Sequence, residues 1–313
     1  MLHLRAISPV DRTDAVLAAL KREPGVTHVV VLRGAAVDPA GDVVEADVAR
    51  EATDAVVASL CELGVDRDGG VTLEQIDTAL SDAADRAEEA APGDGADAVV
   101  WEELLSRTGE ESRLNVTFLS FLTIACLLAA VGVVTNSPIT IVGAMVVGPE
   151  FGPLAAIAVG LVLRRWDLVR RAALALAIGF PVAMTVTAGA AFAGSFTELF
   201  DRDMVLSAHE VDFVFQVGPF SLIVALLAGA AGMLSMTSAK SAALVGVFIS
   251  VTTVPAAGYA AVAAVLAEWD ICLHSIAQLA VNLVGIVAAA ALVLALRNRR
   301  GQARDLGRPL ADG

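Results

Sequence analysis

A single carboxylate interrupts one of the apolar runs of this 313-residue chain: Glu150, in "IVGAMVVGPEFGPLAAIAVG" (141–160), set between Pro149 and Pro153. It falls about twelve residues into a stretch long enough to cross a bilayer, where an ionised side chain costs at least about 2.5–3.5 kcal/mol. Such a group is protonated, paired or kept wet in a cavity. A carboxyl that gains and loses a proton in that setting is what an ion-coupled transport cycle requires. A second polar point lies 103 residues further on, where Thr253 stands beside Thr252 and two residues before Pro255. Its hydroxyls are expected to complete a polar site opposite Glu150.

Other polar residues in the apolar region give weaker signals. Lys240 and Ser241, in "SMTSAKSAALVG", read either as a snorkelling lysine at the interface or as an ion-pair or anion site with Ser235, Thr237 and Ser238. Asn136 and Ser137 occupy the turn between two apolar runs. Gln278 and Asn282, four residues apart, share one helix face and are placed to hydrogen-bond across helices.

Enzyme chemistry is not expected. No metal-ligand set, no nucleophile with its base and no nucleotide-binding loop can be assembled, so neither a cofactor nor a metal is called for. His209 and His274 have no partners visible in the sequence, and His3 and His28 are read as strand residues. Cys61, Cys126 and Cys272 lack metal-ligand spacing and are read as small buried residues.

The elements that must position Glu150 are membrane helices. Mean hydropathy is +0.72, and 57% of residues are hydrophobic, more than a soluble domain carries. Six apolar stretches are expected as spans: 114–134, 138–163, 170–193, 217–236, 241–266 and 275–296. "RRWDLVRR" after the second and "RNRRGQAR" after the sixth are basic, which places both, and both chain termini, on the cytoplasmic side of a cell membrane. The spans fall into two halves, 114–193 and 217–296. Gly143 precedes Trp166 and Asp167 by the same interval at which Gly246 precedes Trp269 and Asp270, an offset of 103, and Pro153 lies one residue from the equivalent of Pro255. Three spans per half make the second half inverted relative to the first. Proline-interrupted spans in inverted repeats are the arrangement in which secondary transporters hold a substrate site near the bilayer midplane.

Ahead of the spans lies an acidic segment. Residues 1–113 hold 24 Asp and Glu against 10 Lys and Arg, a net charge of −14, while the remaining 200 residues sum to zero. Such a surface excludes a nucleic-acid partner and suits a halophile-like, high-salt cytoplasm. Apolar alternation and turn signals give the order β-α-β-β-α-β over residues 1–78, an α+β ferredoxin-like domain. Residues 79–113 are read as a linker and an amphipathic helix with Trp101, Leu104 and Leu105 against the headgroups or against the soluble domain, and 297–313 as a basic cytoplasmic tail.

"NSPITIVGAMVVGPEFGPL" followed by "AGAAGMLSMTSAKSAALVGVFISVTTVP" resembles the uncharacterised hydrophobic domain family of prokaryotic multi-pass membrane proteins, domain of unknown function 389, over roughly residues 115–296. Members are similar in carrying a soluble domain before the spans. The resemblance implies no established substrate. Family members more often have an apolar residue at the position of Glu150, and two adjacent prolines where this chain has Pro255 and Ala256. The expected function is a secondary transporter or ion-coupled permease for an unknown small solute or ion, with a cytoplasmic regulatory domain and a possible homo-oligomeric state. A membrane-anchored ligand sensor or structural assembly, and an ion channel, are the alternatives.

Overall fold

The computed structural model describes residues 1–76, 78–91, 99–196, 218–238 and 253–306, with side chains to 298. The chain divides into two compact units, the first formed chiefly by Met1–Leu104 and the second beginning at Leu105.

The first unit carries β1 (Leu2–Ser8), α1 (Thr13–Arg22), β2 (Val26–Val37), β3 (Ala40–Val48), α2 (Arg50–Glu62), the one-turn α3 (Val65–Asp68) and β4 (Gly70–Gln75). The four strands form one antiparallel sheet in the order β2-β3-β1-β4. Period-two alternation in β1 buries Leu2, Leu4 and Ala6. Leu4 and Ala6 share a core with Val44, Ala46, Val16 and Leu20 of α1, and Val56 and Leu60 of α2. Ser81 starts α4 (Asp82–Ala90), its hydroxyl accepting the N–H groups of Ala83 and Ala84. The first turn of α5 (Trp101–Glu111) belongs to this unit. Trp101 N–H donates to Asp54, Gln75 donates to Glu103, and Leu104 is buried.

The second unit is helical: α6 (Val116–Val134), α7 (Pro138–Val147), α8 (Phe151–Val162), α9 (Trp166–Phe196), α10 (Pro219–Thr237), α11 (Thr253–Val265) and α12 (Trp269–Leu306). Four of these, α6, α9, α10 and α12, are long and apolar enough to cross a membrane; α7 and α8 pass the same test only as a pair, bent by 54° at the break between them. The expected second span is therefore two helices. Of the expected fifth span, the described part is the short apolar helix α11, and residues 239–252 lie outside the described residues. The helices containing the third and sixth spans overrun their apolar stretches, α12 continuing to Leu306.

Local sequence explains the breaks. Pro153 and Pro255 are each the third residue of their helix, where a backbone N–H has no intrahelical acceptor and its loss costs nothing. At the other ends, Arg164 and Ala267 both adopt the left-handed conformation, with φ of 56° and 60°. At the first corner Leu163 N–H bonds to Val159 and Arg165 N–H to Gly160; at the second Leu266 N–H bonds to Val262 and Glu268 N–H to Ala263. Both are left-handed helix stops of the same hydrogen-bond pattern, 103 residues apart, and each leads directly into a helix beginning Trp-Asp.

The core joins Phe118, Leu122 and Cys126 of α6, Leu154 of α8, Phe180 of α9, Val254 and Ala257 of α11, and Ile286 of α12. A Cβ on Gly258 would meet the Ala129 Cβ at 2.7 Å and the Cys126 carbonyl oxygen at 2.9 Å, so α11 lies backbone-close on α6.

Candidate functional site

Glu150 is the residue before α8. Gly148 ends α7 with extended backbone, Pro149 follows, and Glu150 supplies the carbonyl that accepts Leu154 N–H as α8 begins. Its side chain does not cap its own helix. It turns across the unit to α11, where Thr253 Oγ1 donates to Glu150 Oε1 at 2.5 Å. Both residues have 0% exposure. The two partners are 103 residues apart, so each sits at the other's equivalent position at the start of a short helix. Two N-terminal ends, with their unpaired N–H groups and positive polarity, thus converge on one carboxylate. Cys126, the eleventh of the nineteen residues of α6, lies within electrostatic reach of it. Pro153 is buried beside the first turn of α8, and Pro255 beside that of α11.

The arrangement brings together Glu150, Pro149, Pro153, Thr253 and Pro255. Thr252, Lys240 and Ser241 lie outside the described residues, as does His209. Asn136 and Ser137 have local work: Asn136 takes the left-handed position after α6, with φ of 47°, and the Ser137 hydroxyl accepts Thr140 N–H at the start of α7. Gln278 Nε2 donates to Asn282 Oδ1 along α12 at 3.3 Å, both residues being buried.

Three further groups give no signal in the sequence. Cys126 reads as one more apolar residue. Gly152, two residues after Glu150, is pressed against the end of α5, where a Cβ would meet Glu111 Cβ at 2.7 Å. Ser275 is buried one turn before Gln278. A cleft of about 330 Å³ opens at the end of α5, lined by Ser106, Glu110, Arg113 and Arg171 among others, with Arg171 donating to the Gly109 carbonyl.

The histidines of the sheet unit are partnered. His3 and His28 each present Nδ1 to one oxygen of Asp47, at 2.8 and 2.7 Å, and His28 Nε2 meets the Ser81 hydroxyl at 2.8 Å. Burial pushes the Asp47 carboxyl up, but its bonds to the two imidazoles outweigh this and hold it below the usual carboxylate range. No group of three metal-ligating side chains occurs among the described residues. The cysteines are free.

Residues 145–288 match the family model described as a domain of unknown function (DUF389). The match covers 144 of the 313 residues, and over them the chain is similar to that family. No curated protein and no solved structure matches the chain. The matched segment contains both Glu150 and Thr253, and α8 to α11 in full, whereas α6, which supplies Cys126, precedes it.

Proposed function

We propose that residues 114–296 are built from two inverted three-helix halves, 114–193 and 217–296, and work as a secondary transporter or ion-coupled permease, with Glu150 as the group that binds a proton or small cation. The observation that carries the reading is the Thr253–Glu150 hydrogen bond between positions 103 residues apart. The matched left-handed corners at Arg164 and Ala267 support the same duplication. Helices broken at mid-depth expose backbone groups that only protein, ions or water can satisfy, and transporters use such ends to hold substrate and coupling ions. A proton or cation arriving at the carboxylate competes with the Thr253 hydroxyl for Oε1, which links occupancy to the separation of α8 from α11. The sheet unit, which we read as ferredoxin-like on its chain and strand order, is assigned to the cytoplasmic side as the regulatory domain, following the basic loops.

The test is flux in reconstituted vesicles, followed with an entrapped pH dye under an imposed Na⁺ or K⁺ gradient over a range of pH. Wild type is expected to show pH-dependent proton movement that Glu150→Gln abolishes. Equal traces for the two proteins would remove Glu150 from the mechanism.

The complete burial of Glu150 favours a second reading, a membrane-anchored sensor or structural assembly in which the carboxylate only ties α8 to α11. Under that reading neither protein moves protons, and Glu150→Gln changes thermal stability alone.

A further inference from the structure

α12 carries a polar face that its counterpart lacks. Ser275, Gln278 and Asn282 follow one another at intervals of three and four residues, and none exceeds 1% exposure. The residues 103 positions earlier, on α9, are Ala172, Ala175 and Gly179, also buried. In that half the face is closed by packing: a Cβ on Gly179 would meet the Phe118 ring at 2.8 Å and Leu122 at 3.0 Å. In the other half the position equivalent to Phe118 is Ser221. Two equivalent faces, one sealed with aromatic and aliphatic carbon, the other lined with hydroxyl and carboxamide, have diverged in chemistry.

Polar residues inside a helix bundle ordinarily hydrogen-bond from helix to helix. Gln278 instead bonds along its own helix to Asn282, not across helices as the sequence suggested. Ser275 Oγ and Gln278 Oε1 are buried and meet no hydrogen-bond partner among the described residues. A serine hydroxyl in a helix can fall back on the carbonyl four residues earlier, and Ser275 does not. Two unmet polar atoms one turn apart on one face are the partners that an enclosed water requires. Their chemistry also selects. Gln278 gives one of its two N–H groups to Asn282, and the atoms left unmet on this face are two oxygens, the Gln278 carbonyl and the Ser275 hydroxyl. Unmet oxygens favour hydrogen-bond donors and cations over anions, in agreement with the carboxylate of Glu150 at the start of α8.

We propose that the Ser275–Gln278–Asn282 face of α12 lines a hydrated track for a small cation or proton, confined to the second half of the domain. Its use in passage rests on the transport reading given above, while its hydration does not.

Cysteine accessibility tests it on the full chain in proteoliposomes, with Cys61, Cys126 and Cys272 replaced by serine. Ser275→Cys and Gln278→Cys are compared with Ala172→Cys and Ala175→Cys, using positively and negatively charged methanethiosulfonates. The α12 cysteines are expected to react at least about tenfold faster than the α9 pair, and faster with the cationic reagent, since modification needs an accessible thiolate. Four equal, slow rates would overturn the proposal, as would faster reaction with the anionic reagent. Should the serine background fail to fold, Ser275→Ala and Gln278→Met in the native chain replace it. A raised unfolding temperature would mean that two unmet polar groups had been removed from a dry core and would overturn the track; an unchanged or lowered one supports it. The outcome is separable from that of Glu150→Gln: labelling reads water and not flux, so a wet α12 face with unaltered flux removes the carboxylate alone.

Discussion

Glu150 and Thr253 form a pair in which one side chain depends on the other. Thr253→Val keeps the shape and removes the donor, leaving a buried carboxylate with less compensation, at a cost of about 1–3 kcal/mol. Thermal unfolding in detergent should show that loss, and Thr253→Ser should restore most of it. The carboxylate was visible in the sequence because a charged residue between prolines has no place in an apolar run. Thr253 was visible only through the constant offset, since threonine is common in membrane helices. Cys126 and Ser275 were hidden, because a small residue in a run of alanine, valine and leucine carries no sign of which neighbour it faces. In the sheet unit, Asp42 is held below the usual carboxylate range first by the Gly34 N–H bond, then by Thr13 and Arg33. A depressed folded-state value stabilises above the ordinary aspartate value of about 3.9 and is lost as pH falls through the depressed one. Asp42→Asn should therefore flatten the acid limb of stability, read by hydrogen exchange at β2 and β3, by lowering stability at neutral pH, where the contribution is fully present, and changing little in acid.

The short helices α8 and α11 are defined by how they stop and by what they touch. Ala267 carries a Cβ in a backbone region that disfavours one by about 1–2 kcal/mol. Ala267→Gly should relieve part of that and raise the unfolding temperature, whereas glycine at Ala263, inside the helix, should lower it. Gly258 sets the approach of α11 to α6. Gly258→Val should cost about 1–3 kcal/mol by overpacking, and since that contact holds Thr253 in place, proton movement should fall with it. Apolar length told where helices lie and not where they end. Hydropathy joined 138–163 into one span although Gly148 and Pro149 divide it, and it ended the last span at 296 although the helix continues through the polar "RNRRGQAR" to Leu306. The two interior corners were illegible, because arginine and alanine are not residues that announce a left-handed turn.

At the scale of the whole molecule the charge is uneven. All of the net −14 falls within residues 1–113, so added salt should raise the stability of the sheet unit. Screening shortens from about 10 Å at 0.1 M to about 3 Å at 1 M, and hydrogen exchange at β1 and β3 should slow across that range. The α+β unit followed by apolar helices was legible from alternation, composition and hydropathy together. One consequence belongs to the tight seat of Gly152 against Glu111. With no clearance for even a methyl group between them, the last turn of α5 and the first turn of α8 must travel as a single lever. Anything that shifts the end of α5 at the arginine-lined cleft would tug on the chain two residues from Glu150.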